Sequence, residues 1–200
     1  MNSREKGKRG ERQWRDELRA NGYAARRGQQ FSGSPDSPDV ICESLPWAHF
    51  EVKLVERLDI YAAMDQARRD GGGRAAFVAH RRNFWPWLVS MDAERFYRLL
   101  RMDLTGGFAE SMASESPAAA CAGMAWLHCV VSEQRRLNIH EAVAQAERSA
   151  GSRVAVVAHR RSGGGWVVTM AAEVFFALLR GDFTANGNHG PQGEKQKSEI

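Results

Sequence analysis

Hydrophobic and polar positions alternate over Trp47–Val55, with Phe50, Val52 and Leu54 on one side and Glu51, Lys53 and Val55 on the other, the period-two signature of a strand. Over Asp59–Asp70 the period lengthens: Ile60, Ala63, Met64 and Ala67 recur at helical spacing, and Gly71-Gly72-Gly73 ends the run. Ala75–His80 reads as a short apolar strand, Trp87–Met91 as another after Pro86, and Asp92–Arg101 as a helix with Phe96, Leu99 and Leu100 inward. Upstream, Ser3–Asn21 has helical character and is closed by Gly22. Tyr23–Arg27 follows as a strand, Gly28–Pro38 as a polar loop, and Asp39–Cys42 as the beginning of a further strand. The pattern predicts a mixed α/β fold with a central sheet flanked by helices.

The chain also repeats itself. Shifted by 79 residues, Trp47–Leu104 lies on Trp126–Phe183 without a gap, and 28 of the 58 positions are identical. VAHRR occurs at Val78–Arg82 and again at Val157–Arg161. The second segment is therefore expected to repeat strand, helix, strand, strand, helix, as a degenerate half-copy. The opening 46 residues have no convincing second version. This divides the chain into a first domain over 1–104, a small-residue-rich linker over 105–125, the half-copy over 126–183, and a polar tail over 184–200 that is expected to be disordered.

Composition narrows the setting. The 200 residues are 43% hydrophobic and 26% charged, without an apolar run long enough for a membrane span and without a signal-peptide core at the polar start. Cys42, Cys121 and Cys129 form no paired framework and no CxxC, which fits a reducing, cytoplasmic compartment and no structural zinc. Charge is uneven: residues 1–30 carry nine Lys/Arg against four Asp/Glu, whereas residues 105–183 carry seven of each. A basic leading helix suits a phosphate backbone and equally suits a solvated surface.

Three acidic positions stand out. Glu51 and Lys53 share one face of a strand whose other face is apolar, where unpaired charge is costly. Asp39 enters a strand from a turn eleven residues earlier, so a hairpin would bring both carboxylates to one sheet edge. Glu11 lies on the apolar stripe of the opening helix with Trp14 and Leu18. Each has a plain alternative: a surface ion pair, a turn aspartate, a stripe that tilts past its glutamate.

Their order resembles the PD-(D/E)xK nucleases, in particular the Holliday-junction-resolvase-like branch and related endonucleases of phages and prophages. The matching text is Gly7-Lys8-Arg9-Gly10-Glu11-Arg12, Arg26-Arg27-Gly28, Phe31-Ser32-Gly33-Ser34, Pro38-Asp39-Val40 and Phe50-Glu51-Val52-Lys53, within residues 5–101. The resemblance implies a restriction-endonuclease-like fold and a Mg²⁺-dependent DNA endonuclease, with Mn²⁺ as an alternative ion. Asp39 and Glu51 would hold the ion, with the Val52 carbonyl and Glu11 completing the set. Lys53 would orient the attacking water and stabilise phosphate charge. Arg12, Arg27, Ser34 and Gln66 would contact DNA. Branched DNA is the substrate this branch suggests; ends, single strands, or a silent DNA-binding or assembly role are the competing readings.

The half-copy lacks this chemistry, since Glu51 becomes Val130, Lys53 becomes Ser132 and Asp39 falls on Ala118. His80 and Arg81 recur without it, so packing suits them better than catalysis. The half-copy is expected to stand in for a partner subunit in a monomer, or else to extend the sheet or cap an exposed edge; a homodimer is the other possibility. His128, Cys129 and His140 lack ligand spacing, and Phe84, Trp85 and Trp87 are expected to pack in the core or at strand ends, with a base-stacking platform as the alternative.

Overall fold

A computed structural model describes residues 3–28, 39–102, 117–134 and 136–182. Ser34, the rest of the Gln29–Pro38 loop, most of the linker and the tail lie outside the described residues.

The chain forms, in order, α1 (Ser3–Ala20), β1 (Ala25–Arg27), β2 (Val40–Cys42), β3 (Ala48–Leu54), α2 (Ile60–Asp70), β4 (Ala75–Arg81), β5 (Leu88–Asp92) and α3 (Ala93–Leu100). Then follow α4 (Pro117–Cys121), β6 (Leu127–Ser132), α5 (Ile139–Ala150), β7 (Val154–His159), β8 (Val167–Ala171) and α6 (Ala172–Leu179). The elements fall where the periodicity places them. Asp59 caps α2 by accepting from the Tyr61 and Ala62 backbone N–H groups, both at 3.2 Å, and Gly22 follows α1 at φ 86°. Within the expected linker, α4 instead contributes Cys121 to the core. Phe84 is the other departure: it is fully exposed in a turn at φ 65°, while Trp87 is buried.

The eight strands among the described residues join one mixed sheet in the order β1-β2-β3-β4-β5-β8-β7-β6. Only β3–β4 and β6–β7 are parallel, each pair linked by a crossover helix, α2 or α5. The second repeat thus extends the first one's sheet. The joining register sets Ser90 opposite Thr169, 79 residues apart, with Leu88 opposite Ala171 and Asp92 opposite Val167 on either side. Equivalent residues therefore meet across an approximate two-fold axis between β5 and β8.

Alternation along the strands sends side chains to two cores. On one face Phe50, Phe77, Val89, Met91, Val168 and Met170 pack against α1, α3, α4 and α6. Trp14 of α1 is fully buried where the repeats join: its ring lies 5.7 Å from Phe50, 5.4 Å from Trp87 and 5.7 Å from Phe176. Buried aromatic groups of this size contribute about 1.5–3 kcal/mol each. On the other face α2 covers Ala76, Val78 and Val167, while α5 covers Leu88, Ala155 and Val157. Each crossover helix thereby packs on one strand of the other repeat, so neither repeat completes its core alone.

Candidate active site

β3 leaves the sheet interior with Phe50 and Val52 in the large core and Glu51 and Lys53 on the α2 face. Glu51 is 6% exposed, which its ion pair with Lys53 makes tolerable: Lys53 Nζ lies 2.6 Å from Glu51 Oε1. Lys53 Nζ also donates to Gln66 Oε1 of α2 at 2.9 Å. The ammonium is thus held by two acceptors from different elements.

β2 pairs antiparallel with β3, Val40 opposite Phe50, which brings the preceding Asp39 beside Val52. Asp39 Oδ2 accepts a hydrogen bond from the Val52 backbone N–H at 3.2 Å. Burial raises the Asp39 carboxyl to about 6, and the negative charges of Glu51 and Glu11 push the same way; the Val52 N–H and Lys53 oppose them. The hairpin gathers Asp39, Glu51 and Lys53, with Glu11 near enough for its charge to act on Asp39.

Glu11, 9% exposed, lies on the buried stripe with Trp14 and Leu18, and its Oε2 accepts from Arg27 Nε at 2.9 Å. Gly10 lets α1 sit this close, since a Cβ there would stand 3.0 Å from Leu54 Cβ. Arg27, expected at DNA, here spends its guanidinium on Glu11. Arg12 is exposed on α1, and Gln66 meets Lys53.

Among the described residues no group of three or more His, Cys, Asp or Glu is disposed to hold a metal ion. The donors fit Mg²⁺ nevertheless, because that ion is commonly held by one or two carboxylates, with waters and substrate phosphates supplying the rest. Burial raises Asp39 most, and a cation would relieve the repulsion from Glu51 and Glu11 that adds to it.

A second cluster escaped the sequence reading. His80 Nε2 lies 3.0 Å from Ser90 Oγ, Ser90 Oγ 2.6 Å from Thr169 Oγ1, and Thr169 Oγ1 2.9 Å from His159 Nε2. His159 Nδ1 then meets the Tyr61 hydroxyl at 3.0 Å. The available signal was a Ser and a Thr at equivalent positions of otherwise apolar strands.

Comparison with family profiles, with curated proteins and with solved structures returned no match. No helix among the described residues is long and apolar enough to cross a membrane.

Proposed function

We propose that the protein is a Mg²⁺-dependent DNA endonuclease of the PD-(D/E)xK kind, built on a restriction-endonuclease-like core that was partly duplicated. The observation that carries this reading is the meeting of Asp39, Glu51 and Lys53 on one β2–β3 hairpin, with Asp39 raised by burial and by the neighbouring acids and Lys53 fixed between Glu51 and Gln66. The basic leading helix and the motif order support it.

In this reading Asp39 and Glu51 would hold the ion, which when bound would supply Lewis-acid polarisation of the phosphate and a water of lowered pKa. Lys53 lies on the same strand face as Glu51, and its Nζ donates to the non-bridging phosphate oxygens and orients the attacking water. Gln66 holds that ammonium in place before substrate arrives, so that little reorganisation accompanies charge development. Glu11, restrained by Arg27, tunes the negative potential of the site from α1.

The duplicated half lacks the acids and the lysine, and its role is to complete the sheet as an internal partner. The test is incubation with four-way junction, linear duplex and single-stranded DNA, with Mg²⁺ or with EDTA. Metal-dependent cleavage, strongest on the junction, is expected. Tight binding without cleavage in any divalent ion would favour a silent DNA-binding protein instead.

A further inference from the structure

A cleft of about 720 Å³ opens between the amino-terminal ends of α2 and α5, large enough for a small-molecule or nucleotide-sized group. Twelve of its thirteen lining residues form six pairs separated by 79 positions, so the cleft straddles the approximate two-fold axis and belongs equally to both repeats. Four of the six pairs are identical, among them Arg57/Arg136 and Arg82/Arg161. The same comparison replaces Glu51 by Val130 and Lys53 by Ser132. Four of the 28 positions the two copies share thus line the cleft, whereas the hydrolytic residues belong to one copy.

The cleft is electropositive. Its two acids are engaged: Asp59 Oδ2 accepts from Arg161 at 2.6 Å, and Glu56 Oε1 lies 3.5 Å from Lys6 Nζ and accepts from Asn83. Arg57 and Arg136 are exposed and have no carboxylate partner among the described residues. Asp59 caps α2, but the corresponding Asn138 makes no side-chain cap to α5, leaving the first-turn N–H groups of that twelve-residue helix without a side-chain acceptor. On that turn His140 lines the cleft as a wall, 4% exposed and packed edge-on against His80 and Trp85. Uncapped N–H groups and two guanidinium groups without a carboxylate partner among the described residues call for an acceptor-rich anion.

We propose that this cleft is a second, non-hydrolytic site that binds a phosphate group, carried either by a nucleic-acid backbone or by a free phosphate compound. Guanidinium forks match phosphate oxygens, and the α5 N-terminus supplies backbone donors. The inference does not depend on hydrolysis at Asp39 and Glu51.

The test uses the full chain with Lys53→Ala as background, in EDTA, so that binding is read without cutting. Duplex DNA binding by fluorescence anisotropy is compared with protection from thermal unfolding by pyrophosphate. The double variant Arg57→Ala/Arg136→Ala is set against Arg69→Ala/Arg148→Ala, an equivalent exposed pair at the other ends of the same helices. A loss of duplex affinity of about tenfold or more with the cleft pair alone, and a salt slope reduced by about 1.8, assigns the phosphate to nucleic acid. Unchanged duplex binding with lost pyrophosphate protection assigns it to a free compound. Equal losses in both pairs, no loss in either, or a parent chain that binds neither probe overturns the proposal. A chain that binds through the cleft yet cuts no DNA as wild type would sink the nuclease reading alone.

Discussion

Ser90 Oγ and Thr169 Oγ1 meet at 2.6 Å on the approximate two-fold axis, equivalent residues of the two repeats hydrogen-bonded to each other and fully buried. Each also serves the histidine of its own repeat, His80 or His159. A buried polar row at the join of two apolar strands specifies register, because a slip would strand its members without partners. Ser90→Ala is expected to destabilise the fold by about 1–3 kcal/mol, since it strands the buried His80 Nε2 and takes one of the two partners of Thr169 Oγ1. Ser90→Ala/Thr169→Val should cost less than the sum of the single changes. Urea unfolding of the four proteins measures this coupling.

The buried histidines make stability depend on acid. Burial lowers His159 to about 4, burial and the nearby Arg82 lower His140 to about 4, and burial with His140 and His159 holds His80 well below its usual value. Between pH 6.5 and 4 the unfolded chain therefore binds protons that the folded chain refuses. Stability present above pH 6.5 is lost as pH falls, at up to about 1.4 kcal/mol per pH unit for each histidine. Asp39, raised from 3.8 to about 6, works oppositely, gaining a proton in the folded state over this window. His49 is lowered by burial as well, and of the raised carboxyls Asp39, Glu17 and Glu147 only Asp39 moves far. The histidines prevail, so unfolding free energy should fall from pH 7 to pH 4. A flat profile would show that the imidazoles titrate normally.

Asp39 also predicts a metal response. Deprotonation is disfavoured by burial and then by Glu51 and Glu11, and a bound divalent ion would offset that penalty. Mg²⁺ should raise the melting temperature at pH 7.5, less so at pH 5.5 where Asp39 holds its proton, and not at all in Asp39→Asn. Thermal unfolding with and without EDTA reads this directly.

Two glycines of α1 separate contact from propensity. A Cβ at Gly7 meets nothing within 4 Å, so Gly7→Ala should stabilise by about 0.5–1 kcal/mol through the helix preference alone. A Cβ at Gly10 would stand 3.0 Å from Leu54 Cβ and push α1 off β3, a cost of about 1–3 kcal/mol that outweighs the same preference. Because Glu11 is adjacent, Gly10→Ala should also lower cleavage, while Gly7→Ala leaves it unchanged.

Much of this architecture is legible in local patterning. Alternation over Trp47–Val55 places Glu51 and Lys53 together because strand geometry fixes that face, and the stripe Glu11, Trp14, Leu18 is buried as its spacing predicts. The eleven-residue separation of Asp39 and Glu51 suffices for the β2–β3 hairpin. Long-range partners are not so encoded. Arg27 pairs with Glu11 across sixteen residues, and no local signal distinguishes that from an arginine facing DNA. The repeat announces itself in the sequence, but the pairing of β5 with β8 depends on which strand edges remain unsatisfied. Phe84 is hydrophobic yet fully exposed, because its place in a tight turn overrides its preference for the core.

The central claim is that Asp39, Glu51 and Lys53 act together on a phosphodiester. Single-turnover cleavage of a labelled four-way junction in Mg²⁺ tests it most directly, comparing wild type with Asp39→Asn and Lys53→Ala after circular dichroism has shown all three folded. The account predicts that each variant loses about 10²-fold or more in rate, while junction binding measured in EDTA stays within about threefold for Lys53→Ala, given that one phosphate contact is removed. Cleavage that persists at the wild-type rate in both variants would contradict it.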